Sequence, residues 1–302
     1  MTVDAVLIAG PTASGKSRTA LALAKAVDGI VINADSMQVY REAPILTAMP
    51  SDEDRQMVPH LLYSHVSVHE PYSTGRYQGD AIEALAQARR AGKLPIFTGG
   101  TGMYFSVLTD GIADIPKTPA GIRTRVRARL DEIGVANLHA ELATRDPETA
   151  AKLRPSDPQR VMRAYEVLEA TGRPLAHWQR ESGKPVLYGL NLARFVMDVP
   201  RAELRARIET RFRAMLAEGA LQEAGALRGL DTALPAAKVL GLRELWALQD
   251  GALSEAAAVE LAVTATRQYA KRQSTWFRNR MADWDRLGKM DVNDIVRRLV
   301  GR

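Results

Sequence analysis

Residues Ala5-Val6-Leu7-Ile8-Ala9-Gly10-Pro11-Thr12-Ala13-Ser14-Gly15-Lys16-Ser17 set how the rest of the chain is read. The first five are apolar and favour β structure. The next eight fit G-x-x-x-x-G-K-[ST], and from Ser17 to Val27 alanine and leucine recur at helical spacing. A strand feeding a glycine-bearing turn that opens a helix is the setting a phosphate-binding loop requires. Loop N–H groups converge on an anion, and the helix N-terminus adds a partial positive charge. Lys16 brings a full one, and the Ser17 hydroxyl is the expected ligand of Mg²⁺. Gly10 and Gly15 let the backbone wrap closely. The loop specifies a chain of phosphates but not its owner: ATP or GTP is the default ligand, and any pyrophosphate ester fits as well.

Outward from the loop, Gly29 to Asn33 reads as a second buried strand, so strand, helix and strand form a βαβ unit with a parallel sheet. Residues 75–92 form an amphipathic helix ending at Gly92. Leu94 to Thr98 is another short strand, with Pro95 tolerated near its start, broken by Gly99-Gly100-Thr101-Gly102. Leu192 to Val199 is a further strand. Between about 113 and 188 the strand signals vanish, and Arg- and Ala-rich helical stretches appear between Pro116, Pro119, Pro147, Pro155, Pro158 and Pro174. From Pro200 to Met281 the pattern is helical, with breaks near Gly219, Gly229 to Pro235 and Gly251. The expected fold is α/β: a P-loop core with a parallel sheet flanked by helices (1–112 and 189–302), a helical insertion (113–188) and a helical C-terminal region.

A chain of 302 residues, 46% hydrophobic and 25% charged, is ample for such a core. It contains no cysteine, which excludes a disulfide framework, a thiolate zinc site and a cysteine nucleophile. No apolar run approaches the ~18 residues of a spanning helix, and the first ten residues lack the pattern of a secretory leader. A cytoplasmic protein without membrane contact is expected. The net charge of +6 fits a polyanionic partner or a solvated basic surface.

The second strand runs into Asn33-Ala34-Asp35-Ser36-Met37-Gln38. Asp35 therefore stands at the carboxyl end of a core strand, where open α/β sheets bind ligands. A carboxylate there serves as a magnesium-water ligand or as a proton acceptor; an aspartate capping the next turn is the bland alternative. Thr101, in the glycine-rich turn, offers a hydroxyl and an N–H to a substrate, or sits in a turn built only for geometry.

Taken together, these segments resemble the tRNA dimethylallyltransferase (tRNA isopentenyltransferase) family. The likeness runs in order through Gly10–Ser17, Asp35-Ser36-Met37-Gln38-Val39-Tyr40 and Gly99–Tyr104. It continues through Asp157-Pro158-Gln159-Arg160-Val161-Met162-Arg163, Arg207–Phe212 and Lys238-Val239-Leu240-Gly241-Leu242-Arg243, and ends in Thr266–Arg278. Lys238 stands where several relatives carry arginine, which removes the planar fork of a bidentate phosphate contact. With no cysteine, the chain lacks the Cys/His zinc finger of some eukaryotic relatives, which implies a bacterial-type member.

The resemblance implies transfer of a dimethylallyl group from dimethylallyl diphosphate to the N6 amine of the adenine 3′-adjacent to the anticodon in tRNA. The phosphate loop would then grip a prenyl diphosphate. Lys16, the loop amides and Mg²⁺ on Ser17 would stabilise the leaving diphosphate, Arg211 would add a cation opposite, and Asp35 would be the base beside Thr101. It further implies tRNA contacts through Asp35, Ser36, Met37, Gln38, Thr101, Arg123, Gln159, Arg160, Val161, Met162, Arg163, Lys238, Val239, Leu240, Gly241, Leu242, Arg243, Arg267 and Lys271. The target adenine must leave the anticodon-loop stack. Arg267, Lys271, Ser274 and Arg278 share one helix face suited to phosphates of an anticodon stem-loop, although a solvated helix face reads the same way, and Trp276 and Phe277 read more readily as core than as base-stacking groups. A monomer is expected. The competing readings are a P-loop kinase, a prenyltransferase acting on free adenine nucleotides, and a nucleotide-gated nucleic-acid-binding switch.

Overall fold

A computed structural model describes residues 3–181, 183–288 and 292–300. The chain opens with β1 (Ala5–Ala9), buried along its whole length, and α1 (Lys16–Ala26). Then come β2 (Gly29–Asn33), a short α2 (Asp52–Met57) and the two-residue β3 (His60–Leu61). Next are α3 (Thr74–Arg90), β4 (Leu94–Gly99) and α4 (Gly102–Thr109). A helical stretch follows: α5 (Ala120–Arg145), kinked at Gly134, α6 (Pro147–Ala150), α7 (Pro158–Thr171) and α8 (Leu175–Arg180). The chain then returns to the sheet in β5 (Leu192–Met197). It ends in α9 (Arg201–Ala217), α10 (Ala220–Ala226), a 3-10 turn over Pro235–Lys238, α11 (Leu242–Gln249), α12 (Glu255–Arg280), β6 (Asp285–Leu287) and α13 (Val292–Val300).

The described strands form one sheet in the order β3-β2-β4-β1-β5-β6, every pairing parallel. Parallel strands are covered on both faces, hence the unbroken apolar runs of β1 and β2. On one face Leu23, Ala20, Ile295 and Leu299 pack with Val6, Ile8, Val31, Ile96 and Phe195. β4 is a central strand in spite of Pro95: pairing with β1 starts at Ile96, so the missing N–H falls at the frayed end.

The chain divides into two compact units, residues 1–109 with 186–302, and residues 110–185. The division lies three residues before the expected boundary at each end. The second unit has its own apolar clusters, one around Leu142, Ala164, Val167 and Leu168, another around Val126, Leu138 and Val161. Three described elements carry sequence signals too short to read: α2, β3 and β6. Two- and three-residue strands have no periodicity of their own and exist because a longer neighbour offers an edge.

Candidate active site

Three loops meet at the carboxyl ends of adjacent strands β1, β4 and β2. After β1, Ala13 (φ 66°) and Gly15 (φ 91°) both adopt the left-handed conformation and turn the loop. Gly15 caps α1 with no side-chain hydrogen bond to the first helical amides, which leaves that N-terminus to an anion. Lys16 is buried, and burial lowers its ammonium below the ordinary range; Asp35 opposes that shift and Arg211 reinforces it. The Ser14 hydroxyl is buried with no hydrogen-bond partner, a group placed to meet a ligand oxygen. Ser17 is exposed on the first turn of α1.

After β2, the Asp35 N–H donates to Asn33 Oδ1 (2.8 Å), and Asp35 Oδ1 accepts from the Met37 N–H (3.0 Å). After β4, the chain passes so close to Ala34 that a Cβ on Gly99 would lie 2.0 Å from its carbonyl; only glycine fits there. The Thr101 N–H donates to Ala34 O (3.2 Å), and Thr101 Oγ1 accepts from the Ser36 N–H (2.9 Å) while donating to Ser36 Oγ (3.1 Å). Asp35, Ser36 and Thr101 are thus one hydrogen-bonded arm beside the phosphate loop.

Two helices close the site. From α9, Arg211 lines a small cavity with Thr12, Asp35, Met37, Phe212, Leu240 and Tyr269. Burial lowers the Arg211 pKa and the Asp35 carboxylate pulls it back up. One turn earlier Arg207 donates to the Ser14 carbonyl (3.2 Å) and pairs with Glu203. From α12, two faces serve different ends. Tyr269, Gln273 and Trp276, at i, i+4 and i+7, point to the 99–102 turn: the Tyr269 hydroxyl interacts with Thr101 and Gln273, and the Trp276 ring covers Gly102. Phe277 is core. Arg267, Lys271, Ser274 and Arg278 lie on the other face and line a cavity of about 850 Å³ together with Pro11, Arg201, Arg205 and Arg286. Asp198 is the acidic residue among its lining groups. Arg267 also pairs with Glu209 (3.2 Å).

Other expected contacts fall differently. Gln38 is buried and donates to the carbonyls of Thr47 (3.1 Å) and Ala48 (2.7 Å), so its NH₂ braces a loop. Leu240 lines the small cavity with Val239, whereas Leu242 is fully buried. Lys238 and Arg243 are exposed. Gly241 (φ 87°) caps α11, and a Cβ on it would meet Phe212 at 2.7 Å. In the second unit, Asp157 caps α7 by accepting from the Arg160 N–H (3.1 Å), and Gln159, Arg160 and Arg123 are exposed. Arg163 donates to Thr118 Oγ1 (2.9 Å), and Met162 is partly buried. Val161 is fully buried. The side chains of Val161 and Leu242 are both core, while Arg160 and Arg243 beside them in the same blocks are exposed.

The IPP transferase family model matches residues 38–280. The chain belongs to the IPP transferase family. Within that family it is 51% identical over 286 residues to a tRNA dimethylallyltransferase of Azorhizobium caulinodans, covering 93% of this chain and 91% of that one. It is 48% identical over 289 residues to a protein of the same name from Sinorhizobium medicae, covering 94% of each. Among solved structures, a tRNA isopentenylpyrophosphate transferase from Bacillus halodurans superposes with a TM-score of 0.70 at 32% identity, covering 99% of this chain and 96% of that chain. A eukaryotic dimethylallyltransferase captured acting on tRNA gives a TM-score of 0.81 at 28% identity, covering 96% of this chain and 74% of that chain. In this family member the phosphate loop lies before the matched residues, while Asp35 to Gln38 straddle their start. Gln273 and Tyr269 were not singled out by the sequence; their signal was the helical spacing 269, 273, 276 on an otherwise basic helix.

Proposed function

We propose that this chain transfers a dimethylallyl group from dimethylallyl diphosphate to the N6 amine of the adenine 3′-adjacent to the anticodon in tRNA, releasing diphosphate. One observation carries the reading. The phosphate loop, the Asp35–Ser36–Thr101 arm and Arg211 converge at neighbouring strand ends, in a chain about half identical to proteins named for this transfer.

An allylic C–O bond breaks readily once the leaving diphosphate is neutralised. Lys16, Arg211 and the loop amides supply that charge. The exocyclic amine of adenine is a poor nucleophile because its lone pair is delocalised into the ring. Asp35 accepts its proton as the new N–C bond forms, and Thr101, fixed by Ser36 and Ala34, positions the acceptor. Ser17 is the residue that would hold Mg²⁺. No cluster of three or more His, Cys, Asp or Glu suited to a metal occurs among the described residues. A single hydroxyl completed by diphosphate oxygens and water fits Mg²⁺, which keeps several waters and binds through substrate phosphates. When bound, the ion adds charge neutralisation to the leaving group.

The small cavity at Asp35 would receive the flipped adenine. The basic cavity along α12 suits a polyanion, and Arg123, Gln159, Arg160 and Arg163 would hold the anticodon stem-loop. No helix among the described residues is long and apolar enough to cross a membrane. A tRNA substrate implies the cytoplasm, and a monomer is proposed.

The test is incubation with Mg²⁺, dimethylallyl diphosphate and unmodified tRNA, followed by mass spectrometry of the nucleosides. N6-dimethylallyl adenosine is expected. ATP hydrolysis or phosphoryl transfer without a prenylated product overturns the reading.

A further inference from the structure

We infer that Gln273 is a positioning residue for the transfer, holding the phosphate loop and the acceptor arm in fixed register through one buried carboxamide. Its Oε1 accepts from the Thr12 N–H (2.9 Å), and its Nε2 donates to the Gly100 carbonyl (2.8 Å). The partners fix the orientation of the amide: a backbone N–H must face its oxygen and a backbone carbonyl its nitrogen. The side chain is 5% exposed, so both bonds are shielded from water and each backbone group would be left unsatisfied without it.

Thr12 belongs to the loop that follows β1, and Gly100 immediately precedes Thr101. No strand pairing extends to either residue, so the bridge sets their separation where the sheet no longer does. The fit is close on the far side too. A Cβ on Gly100 would lie 2.3 Å from Gln273 Nε2 and 3.0 Å from Asp35 Oδ2, which puts the carboxamide, the Gly100 backbone and the Asp35 carboxylate in one contact. Tyr269, one turn before Gln273 on α12, interacts with both Thr101 and Gln273. A leaving group on the loop and a nucleophile on the arm must meet in line, and small misplacements there are costly to rate.

The inference rests on the transfer reading above, and two variants separate the two. Gln273→Met keeps length and volume and removes both bonds. Gln273→Glu keeps the acceptor for Thr12, but donates to Gly100 only when protonated. For Gln273→Met, kcat for transfer should fall by about tenfold or more, and inorganic pyrophosphate should bind about tenfold more weakly by calorimetry. The rate of Gln273→Glu relative to the wild type should rise as pH is lowered through titration of the new carboxyl, while the same ratio for Gln273→Met stays flat. A purely structural glutamine would lower the melting temperature without producing that pH-dependent rescue. Gln273→Met within twofold of the wild type in both kcat and pyrophosphate affinity overturns the inference. A wild-type protein that binds pyrophosphate but makes no prenylated tRNA overturns the transfer reading instead, and the pyrophosphate comparison still judges Gln273.

Discussion

Asp35 and Lys16 carry opposite charges into the same enclosed space, and each has a distinct experimental signature. In Asp35→Asn the Met37 N–H keeps an oxygen acceptor, so the loop should hold its shape while the base is gone. Single-turnover transfer should slow by about 10²–10⁴-fold, with tRNA affinity essentially unchanged by filter binding; normal turnover removes Asp35 as the base. Lys16 responds to pH. Burial lowers its folded pKa below 10.5, so the free enzyme loses this charge as pH rises through the lowered value, while a bound diphosphate favours the charged form. Diphosphate affinity should therefore fall as pH rises above that lowered value, and binding in this alkaline range should take up a proton. Calorimetry in buffers of different ionisation enthalpy checks this, and Lys16→Met should abolish the uptake.

At the scale of elements, α10 controls a loop it does not adjoin in sequence. Both carboxylate oxygens of Glu223 are engaged, accepting from the Ile45 N–H and the Leu46 N–H at 2.8 Å each, and Leu46 and Thr47 line the Asp35 cavity. Burial raises the Glu223 pKa, against the pull of those two amides. Glu223→Ala should speed hydrogen exchange at Ile45 and Leu46 by about tenfold or more and raise the KM for tRNA. Unchanged exchange at those two amides would mean the loop stands without it.

The elements also show what the sequence made legible. The phosphate loop, β1, β2, β4 and the breaks between the C-terminal helices were readable because each couples a strong period to glycine or proline punctuation. The position of Asp35 at a strand end was readable for the same reason. Gln273 was not, because its role comes from two backbone groups far away in the chain, one on the 10–17 loop and one on the 99–102 turn. A motif block names consecutive residues, whereas a helix exposes only some of them, so the burial of Val161 and Leu242 is not legible from the block alone.

At the scale of the molecule, the exposed cations of the second unit are where the proposed tRNA interface is open to test. Arg160 is well exposed, with one loose ion pair to Asp157 at 3.4 Å, so Arg160→Ala should leave stability within about 0.5 kcal/mol. Removing one cation from a tRNA phosphate should reduce the slope of log affinity against log salt by about 0.7–0.9, with the KM for dimethylallyl diphosphate unchanged. A slope identical to the wild type would remove Arg160 from the tRNA interface. Arg163→Ala should cost stability as well, because it also breaks the bond to Thr118.

The strand order bears on how the chain is made. β1 lies between β4 and β5, and Ala5 pairs with Leu192. During synthesis the first strand emerges long before its second neighbour, and residues 110–185 are made in the interval. Until β5 leaves the ribosome, one edge of the phosphate-binding strand stays open to any other extended chain. The nascent protein is therefore most exposed to aggregation in the interval before β5 appears, and a ribosomal pause placed after β5 has cleared the exit tunnel would give this strand time to close before the last helices emerge.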